Sequence, residues 1–432
     1  MKFLGPRYGT ALSGLTVRGR SFLAAGTASI GCAFVLGQQD LLRAAVLLVS
    51  LPLGCAAVLS RVRYRLALTR VVTPCRVVAG ATATVTLDLH NLSPRATRIL
   101  LAEDRVPYSL GPAPRFLLRG LPGGRRAGVT YSLRSDLRGR YPVGPLRLRL
   151  ADPFGMCEVV RSFTAVDFLL VAPRTRPLLP LTTGGAGEGS GDSLSRSLAT
   201  AGEDDLSIRE YRNGDDLRRV HWRSTARRGQ LMVRQEEQSR PTRATVLLDV
   251  RGCAHRGEGA CDSFEWAVTA AASVAVHLSE HQHEVRLLTD GHPVPWAPPG
   301  QGPGRLVDDL VVLRTGPDES LASAAAVALG ESGRQILVAV LGELDRASAC
   351  LLGTPGAFAR TGIAVLLRVE EWTVSRPEED ERIRRERAAA VSELRTRGWT
   401  VVEAGPDEHI DQVWERAVLG RSAPSSPTAG WR

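Results

Sequence analysis

Two apolar stretches near the amino terminus leave this chain few ways to fold. Ser21–Gly37 and Leu41–Ser60 are separated only by Gln38, Gln39 and Asp40, with Arg43 just inside the second. Each approaches the roughly 20 residues that cross the hydrocarbon core of a bilayer. A signal peptide is the rival reading of the first stretch. The second stretch follows at once and no small-residue cleavage site precedes it, so a transmembrane helical hairpin is expected. Arg7, Arg18 and Arg20 precede the hairpin; Arg61, Arg63, Arg65 and Arg70 follow it. Basic flanks on both sides put both ends in the cytoplasm. The expectation is a cell-membrane protein with two helices (residues 21–60), a short cytoplasmic start (1–20) and all later domains facing the cytosol.

A chain of 432 residues leaves room for two or three further domains. The net charge is +10, yet Lys2 is the one lysine; the arginine excess reflects a GC-rich genome and the flanks of the hairpin. Nucleic-acid surfaces interleave basic and aromatic residues, and aromatics make up only 5% here, so no nucleic-acid partner is expected. The seven cysteines (Cys32, Cys55, Cys75, Cys157, Cys253, Cys261, Cys350) are scattered and form no C-x-x-C pair. That is reduced, cytosolic usage rather than a disulfide framework or a zinc site.

Residues 70–173 read as short strands. At Thr82–Leu92 the polar residues Thr84, Thr86 and Asp88 alternate with Val85, Leu87 and Leu89; Ala127–Leu133 and Leu146–Leu150 are similar. Pro and Gly punctuate the runs, which indicates a β-sandwich of roughly 100 residues. Asp152-Pro153-Phe154-Gly155 closes it as a turn with one buried Phe. Residues 174–202 form a linker. Its stretch Leu181–Ser197 is rich in Gly, Ser and Thr but lacks the Gly-Lys-Ser/Thr ending of a phosphate-binding loop.

From residue 243 the period changes. Apolar runs at Ala244–Val250, Glu284–Thr289, Gln335–Leu341, Ile363–Val369 and Trp399–Glu403 alternate with helical patterns at Phe264–Leu278, Leu306–Leu313, Leu321–Leu329, Glu379–Arg397 and Glu408–Leu419. This alternation predicts an α/β doubly wound sheet over 243–420, followed by a disordered tail at 421–432.

The segment 203–240 is densely charged. Arg209, Tyr211, Gly214-Asp215-Asp216, Arg218-Arg219, His221-Trp222, Ala226-Arg227 and Leu231 stand at fixed offsets around a Gly-Asp turn. This ordered set resembles the signature of the bacterial "domain of unknown function 58" (DUF 58) family, in its membrane-anchored, actinobacterial form. The tetrapeptide Asp152-Pro153-Phe154-Gly155 also fits that pattern. The resemblance implies that the α/β domain is von Willebrand A-like. It also implies a MoxR-type AAA+ ATPase as partner, with this chain as an adaptor and an unknown client protein. Arginine forks bind carboxylates bidentately, and Trp222 offers a face to a guanidinium. Arg209, Tyr211, Asp215, Asp216, Arg218, Arg219, His221, Trp222 and Arg227 are therefore partner-binding or interdomain candidates. Catalysis with His221 as base and Asp215 as orienter lacks a nucleophile, and no catalytic residue is assigned.

Two patterns bear on metal binding. A-type domains carry Asp-x-Ser-x-Ser after the first strand, because a hard cation needs oxygen ligands. Here the positions are Asp249, Arg251 and Cys253, so the site is degenerate, with a fixed cation where the metal would sit. No cofactor and little Mg²⁺ affinity are expected. Thr289-Asp290-Gly291 resembles another adhesion-site loop but reads as a turn. His277-Leu278-Ser279-Glu280-His281 matches H-x-x-E-H, with both imidazoles on one helix face and Glu280 as a possible base. Glu331 and Glu343 are unspecific candidates for the third ligand. This supports the alternative function, a membrane-bound zinc hydrolase.

Overall fold

The computed structural model describes residues 2–3, 14–61, 65–97, 99–181, 206–210, 222–236, 243–289, 296–298, 304–317, 320–330, 335–353, 361–373 and 376–422. It divides into two compact units: Met1–Arg174 with Glu258–Ala260 and Val307–Arg314, and Thr175–Gly257 with Cys261–Leu306 and Thr315–Arg432.

In the first unit, helices α1 (Val17–Leu36) and α2 (Gln39–Arg61) form the expected antiparallel hairpin. Thr16 caps α1 by accepting the Gly19 N–H at 3.2 Å, which starts the helix four residues before the apolar run. Both helices are long and apolar enough to cross a membrane, and only 17% and 22% of their apolar windows are buried within the protein. Their side chains therefore face outward along most of their length, unlike those of a core helix.

Among the described residues this unit holds eleven strands, of which β4, β7 and β9 fall on the alternation read from the sequence: β1 (Lys2–Phe3), β2 (Leu66–Thr73), β3 (Arg76–Val78), β4 (Thr82–Asn91), β5 (Leu100–Asp104), β6 (Arg115–Leu118), β7 (Arg126–Arg134), β8 (Gly139–Val143), β9 (Leu146–Ala151), β10 (Glu158–Ser162) and β11 (Asp167–Ala172). They form three sheets in the orders β1-β2-β4-β7, β10-β9-β5-β6 and β3-β11-β8. On β4 the residues Ala83, Val85, Leu87 and Leu89 point inward, as the period of two demands. The inner faces of all three sheets meet in one core holding Leu87, Leu100, Leu148 and Leu169. Phe154 departs from expectation. It is 58% exposed, while Asp152 of the same turn is buried. Asp152 accepts the Cys157 N–H at 2.7 Å and the Phe154 N–H at 3.2 Å, so the acid rather than the aromatic anchors the turn.

The second unit begins with a hairpin of β12 (Leu206–Glu210) and β13 (Met232–Glu236), between which lies α3 (Trp222–Arg228). The chain then continues through β14 (Arg243–Leu248), α4 (Ser263–Glu280), β15 (Glu284–Leu288), α5 (Gly304–Val311, which belongs to the first unit from Val307 on), α6 (Ala322–Leu329), β16 (Gln335–Leu341), α7 (Arg346–Leu351), β17 (Thr361–Leu367), α8 (Pro377–Thr396), β18 (Thr400–Ala404) and α9 (Ile410–Ser422). The five strands β14–β18 are all parallel and run in the order β15-β14-β16-β17-β18. In chain order this is 2-1-3-4-5, a doubly wound arrangement whose switch point lies between β14 and β16. β16 is buried at every position, which explains its continuous apolar run. Residues Thr175–Leu181, at the start of the segment read as a linker, lie against α4 and α9: the Arg176 N–H donates to Ser273 Oγ at 3.0 Å and Trp414 Nε1 donates to the Leu179 carbonyl at 2.9 Å.

Candidate functional site

Ligands of open parallel sheets bind beyond the carboxyl ends of the strands, at the switch point. Here that place holds Asp249, one residue past β14, fully buried. Its carboxylate is engaged by the chain itself. Arg251 donates from Nε to Oδ1 at 2.9 Å and from Nη2 to Oδ2 at 2.8 Å, a bidentate fork on a partner two residues away. The Arg251 backbone N–H adds a bond to Oδ1 at 3.1 Å, and the Gly342 N–H one to Oδ2 at 3.3 Å. Arg251 also donates to the Glu343 carbonyl at 2.9 Å, which ties the loop after β14 to the loop after β16. Burial alone would lower the Arg251 pKa, but the Asp249 carboxylate outweighs it and holds the guanidinium above its ordinary value.

A second layer supports this pair. His255 lies on the Asp249 carbonyl, Nε2 to O 2.8 Å, and on Ser263 Oγ, Nδ1 to Oγ 3.2 Å. A carbonyl only accepts, so Nε2 carries the proton and Nδ1 accepts from the serine hydroxyl. Burial lowers the His255 pKa and keeps the ring neutral, while the Phe264 ring packs edge-on at 5.1 Å. Arg256 reaches Glu379 at 2.7 Å and Glu343 at 3.4 Å. A side chain at Gly342 would collide with the Ala254 carbonyl, so the two loops touch backbone to backbone.

Asp249 and Arg251 were legible in the sequence; His255, Ser263, Arg256 and Gly342 were not. They stand in a stretch without periodicity, and only the Asp262-Ser263 start of α4 carried a signal, as Asp262 caps that helix through the Phe264 N–H at 2.9 Å. Cys253 is exposed, and all seven cysteines are free.

The H-x-x-E-H residues lie at the other end of α4. His277 is 4% exposed and packs edge-on against Trp414 at 6.0 Å. Burial first, then His281 and His283, bring its pKa down to about 4. His281 is the residue after the helix; its Nδ1 sits 2.8 Å from the His277 carbonyl, and Glu280 is exposed. Among the described residues no three His, Cys, Asp or Glu side chains gather as metal ligands.

The signature segment is only partly described. Arg209 lies on β12, paired with Val233, without a description of its side chain. Tyr211, Asp215, Asp216, Arg218, Arg219 and His221 lie outside the described residues, as do Asp290 of the second adhesion-like loop and Glu331. Trp222 opens α3 and is 70% exposed; Arg227 is exposed in the last turn of the same helix. Inside this segment Thr225 Oγ1 accepts the Met232 N–H at 3.0 Å and so ties α3 to β13.

Residues 207–345 match the family described as "Protein of unknown function DUF58". The match starts inside the charged segment and ends at Asp345, four residues past β16, so it takes in both sides of the switch point. The chain is also similar to the uncharacterized protein YeaD of Bacillus subtilis, 26% identical over 203 residues. That similarity covers 45% of this chain and 48% of YeaD, so the chain spans about half the length of this curated relative. Among solved structures, it is similar to the CARDB domain of a Pyrococcus furiosus protein (13% identity, 25% of this chain, 93% of that one, TM-score 0.19). It is likewise similar to the putative ApaA protein of Bordetella pertussis (10% identity, 25% and 94% covered, TM-score 0.19). Likenesses at these scores carry no assignment of fold or activity.

Proposed function

We propose that this chain is a membrane-anchored, non-enzymatic adaptor of the DUF 58 type, working with a MoxR-type AAA+ ATPase in the assembly or activation of other proteins. The observation that carries the non-enzymatic part is the Asp249–Arg251 fork. The acid that an A-type domain would offer a divalent cation already holds a guanidinium in bidentate contact, 2.8 Å away and shielded from solvent. Its α/β domain is then a degenerate von Willebrand A-like module, used for binding rather than for metal chemistry. The two outward-facing apolar helices support anchoring in the cell membrane. The basic flanks favour a cytoplasmic orientation for both ends. The exposed Trp222 and Arg227 on α3 support a recognition surface in the signature segment, since an exposed Trp beside arginines is the composition of an interaction hot spot. The zinc-hydrolase reading gains no support: the His277 and His281 rings lie 4.2 Å apart, but among the described residues no third His, Cys, Asp or Glu joins them.

The test is capture of a purified MoxR-type ATPase from the same genome by the full chain in detergent. Capture is expected to be lost in Asp215→Ala and in the Arg218→Ala/Arg219→Ala pair. Trp222→Ala, which removes an exposed ring, should also lose capture with little change in melting. Failure of the wild-type chain to capture the ATPase, or capture unchanged in all three variants, contradicts the proposal.

A further inference from the structure

The first unit carries an apolar patch that adjoins the hairpin. A groove of about 500 Å³ runs between Leu47, Leu51 and Val58 of α2 on one side and Pro153 and Phe154 on the other. A second groove of about 610 Å³ is walled by Ile99, Leu101 and Leu117. The two share Asp152 and Pro153, so they adjoin each other. Phe154, Ile99 and Leu117 are each more than half exposed. Exposed apolar patches rimmed by polar residues mark interaction sites.

The outer face of the sheet β10-β9-β5-β6 changes character along its length. At one end Leu101 stands opposite Leu117, with Ile99 two residues back on the same face. Two residues further along β5, toward the β5–β6 connection, Glu103 stands opposite Arg115 and Arg147, and bonds Arg115 at 3.1 Å. Apolar residues thus gather at the end where Ala151 leads into the Asp152 turn; the charged Arg149, which stands opposite Leu101 there, is paired with Glu158 at 3.2 Å and with Glu103 at 3.1 Å. The two acids lining the grooves are not bare charges: Asp152 is spent on the Cys157 and Phe154 N–H groups, and Glu158 on Arg149.

The patch has a fixed position relative to the hairpin. The Thr16 N–H donates to the Met156 carbonyl at 2.9 Å, and the Thr16 hydroxyl to the Gly155 carbonyl at 2.6 Å. Leu15 bridges Cys157, and a side chain at Gly19 would strike the Met156 carbonyl. The turn is therefore clamped to the first turn of α1, where Arg18 and Arg20 are exposed. The helical wall of the first groove, Leu47–Leu59, belongs to the apolar span Gln39–Leu59 itself. Whatever solvates that span also fills the groove.

We propose that the Asp152–Cys157 turn and the apolar end of this sheet form a membrane-interface foot, with Phe154 among phospholipid acyl chains and Arg18 and Arg20 at the lipid phosphates. The foot rests on the membrane reading of the hairpin made above. Aromatic rings settle at the level of lipid headgroups, and nearby arginines add attraction to anionic lipids. The hairpin then does more than tether: it sets the depth and orientation of the β-unit on the bilayer.

The photoreactive analogue p-benzoylphenylalanine, placed in turn at Phe34, Phe154 and Tyr108 of the full chain, tests this in vesicles of phosphatidylethanolamine and phosphatidylglycerol. Phe34 lies within α1 and is 77% exposed, and Tyr108 lies beyond the charged end of β5 and is 95% exposed. After irradiation, mass spectrometry should find lipid adducts at positions 34 and 154 and none at 108. Adducts at 34 without any at 154 overturn the foot and leave the membrane reading standing. Absence of adducts at 34 overturns both. A cross-link from 154 to a second copy of the chain, or adducts at 108 as abundant as at 154, also overturns the foot.

Discussion

Each of the two compact units buries an arginine against an aspartate, and the two pairs serve different ends. In the β-unit Arg70 of β2 reaches Asp104 of β5 at 2.6 Å, with side-chain exposures of 1% and 0%. The partners come from different sheets, and the Tyr131 hydroxyl of β7 donates to the same carboxylate at 2.6 Å. Burial first, then the Asp104 carboxylate, push the Tyr131 phenol well above its ordinary value and keep it a donor. This pair joins sheets distant in sequence and belongs to the interior. In the α/β-unit Arg251 and Asp249 are two residues apart and stand past the strand ends, where such sheets receive ligands. The first pair is a rivet. The second, on the reading proposed above, puts the chain's own cation where a divalent cation would sit. Identical chemistry thus stands in the interior of one unit and past the strand ends of the other.

The comparison breaks most visibly in Asp104→Ala. Removing one partner of a buried pair strands the other and costs about 3–5 kcal/mol. Calorimetric melting of the full chain in detergent should show the β-unit transition lowered by an amount at the upper end of that range, since Arg70 would lose its closest carboxylate. Arg251→Ala should cost less, about 3 kcal/mol, because the strand end lies nearer to water and Gly342 and the Arg251 backbone still donate to Asp249. A larger loss from Arg251→Ala than from Asp104→Ala would mean that the switch-point pair is the structural one.

The α/β-unit should also respond to pH through His277. Its folded pKa of about 4 lies below the roughly 6.5 of an unfolded histidine, so the unfolded chain takes up the proton first. This histidine has no effect on stability above pH 6.5 and costs stability as pH falls from there toward 4. At about 1.4 kcal/mol per pH unit, the loss from pH 7 to pH 5 should be about 2 kcal/mol. His277→Gln should flatten that slope; an unchanged slope would mean that the ring is hydrated in solution.

Much of the architecture was legible because it is periodic. The alternation of Val85, Leu87 and Leu89 required a half-buried strand, and the unbroken run Gln335–Leu341 a strand buried on both faces. The short helix α7 escaped notice, since six residues hold too few turns for a helical period to show. Phe154 was misread because aromatic side chains usually bury, whereas here a buried Asp152 holds the turn and leaves the ring outside. At the candidate site, Asp249 and Arg251 could be found from the end of an apolar run. His255 could not, because its role depends on a carbonyl and a serine hydroxyl that only the folded loop brings to its ring.

The central claim is that Arg251 occupies the place of a divalent cation. Calorimetric titration of Mg²⁺ into the full chain, beside the Arg251→Ser/Cys253→Ser variant that restores Asp-x-Ser-x-Ser, tests it most directly. The account predicts no binding by the wild-type chain at low-micromolar metal and measurable, Asp249-dependent binding by the variant. Tight Asp249-dependent Mg²⁺ binding by the wild-type chain would contradict it.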